Sequence, residues 1–314
     1  MRVLVTRHWP EEVERALQDR FEVVLNAADR ALRPSELAQA AAEFDVICPT
    51  VSDRVDAAVI GGGDRLKLIA NYGVGIDHID LEAARAKGIA VSNTPDVLTD
   101  ATADLALLLM LMATRRAGEG ERELRAGQWT GWRPTHLLGQ SLAGKTLGLV
   151  GYGRIARATA ERARAFGMTL AYHSRRRAED EAGAAYHDTL ESLAETADVL
   201  SLHTPGGPET RHMVDAALLK RMKPGAVVIN TARGSVVNEA DLAEAQRTGV
   251  IAAAGLDVYE REPAVDPALL ALSNVVLLPH LGSATIETRT AMGMKVADNL
   301  DRFFDGEPPI DRVA

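Results

Sequence analysis

The sequence predicts an α/β protein made of two domains, each with a mostly parallel sheet that is covered by helices on both faces. Its length of 314 residues is typical of two domains of ordinary size. Short apolar strands alternate with amphipathic helices along most of the chain, an order that indicates parallel sheets. The composition, 46% hydrophobic and 25% charged with a mean hydropathy of −0.06, is that of a globular protein and argues against disorder, collagen and coiled coil.

Charge and cysteine content disfavour several classes of function. Lys and Arg number 35 against 44 Asp and Glu, a net charge of −9, which disfavours non-specific binding to nucleic acid or to an anionic membrane. Cys48 is the only cysteine, so neither an intrachain disulfide nor a thiolate metal cluster can form. No metal motif occurs, and the longest apolar run, residues 105–113, is well short of the ~20 residues that span a bilayer. We therefore expect a soluble, cytoplasmic protein that holds no metal.

The elements fall into two series. In the first, strands are predicted at 3–5, 23–25, 46–47 and 66–70, with helices at 11–19 and at 34–44, the latter with Ser35 as N-cap. The second has the order of a doubly wound nucleotide-binding fold. Its strands are predicted at 146–150, 169–173, 199–203, 226–230, 252–257 and 275–278, and its helices at 154–166, 190–195, 216–221 and 239–248. A helical segment over 99–116 joins the series, and a last helix is predicted at 285–304.

A glycine-rich turn after the first strand of the second series predicts dinucleotide binding. The segment Gly151-Tyr152-Gly153-Arg154-Ile155-Ala156 has the spacing G-x-G-x-x-A and lies between a predicted strand and a predicted helix. The first glycine permits the tight turn, the second lets a pyrophosphate approach the backbone, and the alanine allows close helix–strand packing. The helix N-terminus offers N–H groups to the phosphates. A plain strand–helix turn is the alternative interpretation.

The end of the next strand favours NADP over NAD. An acidic residue that binds the ribose hydroxyls is expected about 20 residues after the first glycine, but Ser174-Arg175-Arg176 stands there. A hydroxyl and arginines suit the 2′-phosphate of NADP, which a carboxylate would repel. NAD remains possible, because these arginines could equally form a solvated basic turn.

Five motifs in order resemble the D-isomer-specific 2-hydroxyacid dehydrogenase family over nearly the whole chain. They are the glycine turn and the segments 71–77, 230–234, 255–263 and 279–283. Residues 128–134 and 279–285 are most similar to the glyoxylate/hydroxypyruvate reductases of that family. The resemblance implies two Rossmann-like domains with a cleft between them, a substrate domain of residues 1–97 plus 286–314 and an NAD(P)-binding domain of residues 98–285. It also implies a homodimer, and hydride transfer in the cleft predicts a closure on binding.

The resemblance implies reduction of a small 2-keto acid to a D-2-hydroxy acid, preferably by NADPH. Three side chains are expected to take part in this reaction. Arg233 follows a strand, where its planar fork can hold a carboxylate and polarise a carbonyl; a surface ion pair is the alternative. His280 ends another strand and is a suitable proton donor near neutral pH. Glu262 or Glu260 could support that histidine. The family pattern places the carboxylate directly before Pro263, which selects Glu262.

The resemblance implies further contacts at matching positions. Asp257 is expected to bind the nicotinamide carboxamide, and Val74 and Gly75 to bind the substrate carboxylate with backbone N–H groups. Trp132 matches a position that can reach the partner subunit's active site, and an ordinary dimer-interface or core tryptophan is the alternative. Beside the turn and arginine residues already named, the cofactor set includes Thr102, His203, Thr204, Pro205, Thr231, Ala232, His280 and Gly282, and the substrate set includes Arg233, His280 and Ser283.

Two alternatives remain open. One is a dehydrogenase of the same family that acts on a larger 2-keto acid or on 3-phosphoglycerate. The other is a nicotinamide-sensing binding protein, because the C-terminal-binding transcriptional corepressors resemble this family and keep a similar Arg/Glu/His set. Turnover with any keto acid would separate an enzyme from a sensor.

Overall fold

The computed structural model describes residues 1–314 and divides them into two compact units. Unit 1 comprises Met1–Leu98 and Ser283–Ala314, and unit 2 comprises Thr99–Gly282. The sequence places the corresponding bounds at 97/98 and 285/286. None of the helices is both long and apolar enough to cross a membrane.

Unit 1 is built on a five-stranded parallel sheet with the order β2-β1-β3-β4-β5, the flavodoxin-like arrangement. Its strands are short and largely buried, as expected for a parallel sheet that is covered on both faces. The strands are β1 (Arg2–Val5), β2 (Glu22–Leu25), β3 (Val46–Cys48), β4 (Leu68–Ala70) and β5 (Ala90–Ser92). The helices are α1 (Glu11–Gln18), α2 (Pro34–Glu43), α3 (Ala57–Gly61), α4 (Leu81–Ala86) and, at the C-terminal end of the chain, α12 (Ile286–Phe304).

Helix α12 belongs to unit 1 because it packs against α1. A Cβ on Gly293 would lie 2.4 Å from Val13 Cγ1, so the two helices approach at a distance that only glycine allows. The predicted cap of α2 is wrong. The helix begins at Pro34, one residue before Ser35, and the Glu36 side chain accepts the Arg33 N–H at 2.8 Å. Proline fixes the backbone of the first helical position, so Ser35 already lies inside the helix.

Unit 2 contains a seven-stranded parallel sheet with the order β12-β11-β10-β9-β6-β7-β8. The strand order reverses between β6 and β9, and such a switch point is where open α/β sheets bind ligands. Its strands are β6 (Thr146–Val150), β7 (Thr169–His173), β8 (Ala185–Tyr186), β9 (Val199–Leu202), β10 (Val227–Asn230), β11 (Ala253–Leu256) and β12 (Val275–Leu277). Its helices are α5 (Thr99–Thr114), α6 (Ala117–Arg125), α7 (Arg154–Ala165), α8 (Leu190–Thr196), α9 (Ala216–Leu219), α10 (Glu239–Arg247) and α11 (Pro267–Leu270).

Helices α5 and α7 cover one face of this sheet. The apolarity of the joining segment is typical either of a connection between domains or of a buried core helix, and Leu109 and Met110 of α5 are fully buried. Three alanines of α7, Ala156, Ala160 and Ala163, face the core and let the helix lie close to the sheet. The structure adds short elements that the sequence analysis does not predict, namely α3, α4, α6, α11, β5 and β8. Segments of this length carry little periodicity.

Candidate active site

The glycine turn lies at the carboxyl end of β6, beside β9. Gly151 has φ +84°, and a Cβ there would lie 2.7 Å from the His203 carbonyl oxygen. Both the left-handed backbone and the lack of space require glycine at this position. The first turn glycine therefore fits the predicted role.

The second glycine faces open space. A Cβ added to Gly153 would meet no atom within 4 Å, and the residue caps α7 without a side-chain hydrogen bond. The first N–H groups of α7 are thus left without a side-chain cap, an arrangement that suits a phosphate. Thr231 Oγ1 is a buried polar atom with no hydrogen-bond partner. A bound nicotinamide dinucleotide fits both features.

Tyr152 serves the core rather than the turn. Its ring stacks on Tyr172 at 4.1 Å between centroids, and the Arg157 guanidinium lies 4.5 Å from the ring centre. Its hydroxyl donates to the Glu181 carbonyl. Only the backbone of Tyr152 is available at the predicted cofactor position, while Arg154 and Ile155 are the first two residues of α7.

The arginines after β7 have different partners. Arg177 makes two hydrogen bonds to Glu181 and lies over the Tyr186 ring. Arg175 pairs with Glu209 at 3.0 Å, with side-chain exposures of 85% and 78%. Arg176 is exposed, and its carbonyl accepts from the Ser174 hydroxyl at 2.6 Å. Because Arg177 is engaged with Glu181 and exposed ion pairs such as that of Arg175 are weak, Arg175 and Arg176 are the two arginines more readily available to a ligand.

The segment after β9 continues the same sheet edge. His203 Nε2 lies 2.9 Å from Ser201 Oγ, and burial lowers the pKa of His203 to about 4, so its ring is neutral near pH 7. The Pro205 carbonyl accepts from the Thr210 hydroxyl, and the Thr204 hydroxyl faces Met213 Sδ at 3.9 Å.

Arg233 lies in a turn that is held by the last residue of β10. Asn230 donates its side-chain amide to the Arg233 carbonyl and accepts the Ala232 N–H, at 2.9 and 3.0 Å. The following residue, Gly234, lies so close to the next loop that a Cβ would fall 1.8 Å from the Tyr259 carbonyl carbon. The Arg233 turn and the loop after β11 are therefore in direct backbone contact.

Glu262 and His280 form the hydrogen-bonded pair that the family pattern predicts. Glu262 Oε2 lies 2.8 Å from His280 Nδ1, and the two side chains are 34% and 31% exposed. Burial is the largest single effect and raises the pKa of Glu262. The hydrogen bond and charge of His280, the Tyr259 N–H and the Arg233 charge together outweigh burial and lower the pKa overall. The carboxylate is thus ionised near neutral pH and lies within hydrogen-bond distance of the imidazole.

Glu260, the competing carboxylate, has other partners. Its Oε1 accepts from Arg211 at 2.8 Å and lies 2.6 Å from His212 Nε2. It is therefore engaged with the segment after β9, and Glu262 is the carboxylate that contacts His280.

Asp257 and Thr102 hold the loop that carries His280. The Asp257 carboxylate accepts the N–H groups of Leu281 and Gly282 at 2.6 and 2.8 Å. The Thr102 hydroxyl donates to the Gly282 carbonyl at 3.2 Å. Burial raises the pKa of Asp257 to about 6, against the opposing effects of Leu281, His280 and Gly282. Both residues thus hold this loop, a role that the sequence does not predict, while the nicotinamide contact of Asp257 and the cofactor contact of Thr102 stay predictions.

In unit 1, the predicted substrate residues lie on a loop after β4 that side-chain amides fix. Asn71 donates to the carbonyls of Gly73 and Gly75, each at 2.9 Å, and Asn93 donates to the carbonyl of Val74 at 2.9 Å. These bonds fix the turn that carries the backbone N–H groups of Val74 and Gly75, whose binding of the substrate carboxylate stays a prediction. Ser283 begins the second segment of unit 1.

Trp132 lies in unit 2, in the irregular segment after α6, and is 81% exposed.

Glu239, at the start of α10, is a further acidic residue near the loop after β11, with its Oε1 2.6 Å from the Glu260 N–H. The sequence predicts that Glu239 begins a helix. No local pattern predicts its contact with Glu260, which is 21 positions away.

Comparison with known proteins identifies relatives over nearly the whole chain. The family D-isomer specific 2-hydroxyacid dehydrogenase, NAD binding domain, matches residues 107–282. The chain is 46% identical to a glyoxylate reductase from Thermococcus litoralis over 319 residues, covering 99% of this chain and 96% of the relative. It is 44% identical to a glyoxylate reductase from Pyrococcus furiosus over 315 residues, covering 98% of this chain and 94% of the relative.

Two solved structures share the fold over the whole chain. A protein from Thermus thermophilus is 45% identical, with a TM-score of 0.93 and coverage of 100% of both chains. An NADPH-dependent glyoxylate/hydroxypyruvate reductase from Sinorhizobium meliloti, solved with NADP and malonate, is 40% identical, with a TM-score of 0.90 and coverage of 100% of this chain and 96% of that one. The chain belongs to the D-isomer specific 2-hydroxyacid dehydrogenase family.

Proposed function

We propose that this dehydrogenase reduces glyoxylate and hydroxypyruvate, or similarly small 2-keto acids, to D-2-hydroxy acids, and that it prefers NADPH. The observation that carries the proposal is the Glu262–His280 pair, at 2.8 Å, on the same unit as the Arg233 turn and the glycine turn. The glyoxylate reductases among its relatives support the substrate class, and the NADP-bound reductase supports the cofactor.

Each side chain has a distinct task in this reduction. A reduced nicotinamide cofactor, when bound, supplies the hydride to the keto carbon. Arg233 binds the substrate carboxylate and polarises the neighbouring carbonyl with its guanidinium. His280 donates the proton that the carbonyl oxygen needs as it becomes a hydroxyl, and solvent then returns a proton to the ring. Glu262 keeps the ring oriented and stabilises its charge.

Residues near the adenosine end would set the cofactor preference. The turn 174–177 carries no acidic residue that would repel a 2′-phosphate, and Arg175 and Arg176 are exposed there. Guanidinium groups bind phosphate through two parallel hydrogen bonds. The turn therefore favours NADPH, with NADH as a weaker substitute.

We also propose that two copies of the chain associate through the region 101–138. Five large apolar side chains of this region are exposed, and a second copy would cover them; they are Leu108, Leu124, Trp129, Trp132 and Leu138. Light scattering should give twice the mass of one chain, and a monomer at micromolar concentration would overturn this assignment.

The test is a matrix of steady-state rates. NADPH or NADH oxidation would be followed with glyoxylate, hydroxypyruvate and pyruvate. We expect glyoxylate and hydroxypyruvate to turn over faster than pyruvate, and NADPH to give a higher kcat/KM than NADH. No turnover of any of the three keto acids would contradict the substrate assignment, and a preference for NADH would contradict the cofactor assignment.

A further inference from the structure

A buried carboxylate lies behind the loop that carries Glu262. Glu239 is the first residue of α10 and only 4% exposed. Burial raises the pKa of Glu239, and although the Glu260 N–H lowers it, the charges of Glu260 and Asp266 add to the rise. The Arg261 charge is a smaller opposing effect. Burying a carboxylate costs free energy. The hydrogen bond that Glu239 makes with the loop therefore indicates what this side chain does.

That contact fixes the loop next to the functional carboxylate. The N–H of Glu260 donates to Glu239 Oε1 at 2.6 Å, and the preceding N–H, of Tyr259, donates to Glu262 Oε1 at 2.9 Å. Two consecutive backbone donors are thus held by two carboxylates, one from α10 and one from Glu262 itself. The Tyr259 hydroxyl also donates to the Leu278 carbonyl at 2.8 Å, two residues before His280.

The loop has little freedom to compensate for a lost contact. Its backbone at Tyr259 lies against Gly234, where a Cβ would come within 1.8 Å. A shift of the loop therefore changes the position of Glu262 relative to His280 and also the surroundings of the Arg233 turn.

We propose that Glu239 is a positioning residue for the reduction: through the Glu260 N–H it holds the loop so that Glu262 meets His280. This inference rests on the proposed function only for its catalytic readout. The Glu260 N–H is a neutral donor, so residue 239 needs only an acceptor oxygen within hydrogen-bond distance of it. Charge at Glu239 is not required.

Four variants distinguish the effect of side-chain length at residue 239 from the effects of its charge and of lost packing. Glu239→Gln keeps an acceptor oxygen at the same distance without the charge. Glu239→Asp keeps the charge but is one methylene too short, and Glu239→Ala removes both. Gln246→Ala is the matched control, because Gln246 is on the same helix, is 5% exposed, and makes one side-chain bond, to Asn274 at 2.7 Å.

We expect Glu239→Asp and Glu239→Ala to lower kcat for glyoxylate by about 10- to 100-fold, the scale of a misplaced catalytic group. The dissociation constant for NADPH should stay within about twofold, since the glycine turn is untouched. Glu239→Gln should keep kcat within about threefold because the hydrogen bond survives. Gln246→Ala should lower the melting temperature without lowering kcat.

Hydrogen–deuterium exchange of the peptide 257–264 gives a readout that needs no turnover. Exchange should quicken in Glu239→Asp and Glu239→Ala and stay at the wild-type rate in Glu239→Gln and Gln246→Ala. If the wild type turns over no keto acid while this pattern holds, the proposed function fails and the positioning role stands. Wild-type exchange and kcat in Glu239→Asp and Glu239→Ala, or equal losses in Glu239→Gln, would overturn the inference.

Discussion

Glu262 Oε2 and His280 Nδ1 are 2.8 Å apart, although 18 positions separate the two residues in the chain. Glu262 comes from the loop after β11, and His280 follows β12, the neighbouring strand. Parallel strands end at the same edge of a sheet, so both residues reach one place. Burial raises the pKa of Glu262, and the combined effect of His280, the Tyr259 N–H and the Arg233 charge lowers it overall.

The pair predicts a graded loss of activity. His280→Ala should lower kcat with glyoxylate by about 10²- to 10⁴-fold, because the proton donor is lost. Glu262→Gln should lower kcat by less, since the ring keeps a neutral partner. His187→Ala is the control, because His187 contacts Ser192 instead. A His280→Ala enzyme with near-normal kcat would contradict the assigned proton donor.

The two turn glycines should respond differently to alanine. Gly151→Ala should destabilise the fold by about 2 kcal/mol or more, because φ is +84° and the His203 carbonyl blocks the Cβ. Gly153→Ala meets open space and should change the free energy of unfolding by no more than about 1 kcal/mol. It should nevertheless weaken NADPH binding by about tenfold or more, because the pyrophosphate needs that space. Urea unfolding and fluorescence titration measure the two quantities, and unweakened binding in Gly153→Ala would argue against the turn as the phosphate site.

Asp257 predicts a pH dependence of stability. Its pKa is about 6 in the folded protein and about 3.9 in an unfolded chain. Between these two pH values the folded state therefore binds more protons than the unfolded state. Its contribution to stability is therefore complete below about pH 4 and falls as the pH rises through about 6. Asp257→Asn does not titrate, so the wild type should exceed it in free energy of unfolding by about 1 kcal/mol more at pH 5 than at pH 7.5. A gap that is constant or grows with pH would contradict the raised pKa.

The arginines after β7 predict separate effects on cofactor choice. Arg176→Ala should raise KM for NADPH by about tenfold or more and leave KM for NADH unchanged, because only NADPH carries the 2′-phosphate. Arg177→Ala is the matched control, since Arg177 binds Glu181 and should affect stability alone. Glu209→Gln, which releases Arg175 from its exposed ion pair, should increase the NADPH preference modestly. Equal effects of Arg176→Ala on both cofactors would indicate a role unrelated to the 2′-phosphate.

The two-domain α/β class and most of the longer elements can be predicted from the sequence because they depend on long patterns. Runs such as Thr146–Val150, with their flanking helix signals, indicate alternating strands and helices, and the glycine spacing locates the turn. Side-chain partners were harder to predict because they depend on distant segments. Arg175 and Arg177 resemble one basic turn in the sequence but bind different carboxylates, and the Tyr152 ring belongs to the core. Glu239 was missed for the same reason, since its acceptor role depends on the path of a separate loop.

The product of hydroxypyruvate reduction tests the proposed reaction most directly. Hydroxypyruvate and NADPH would be incubated with the wild-type enzyme, and the glycerate formed would be resolved by chiral chromatography. We expect one glycerate for each NADPH oxidised, all in the D configuration. L-glycerate, a racemic product, or no glycerate from an enzyme that binds NADPH would contradict it.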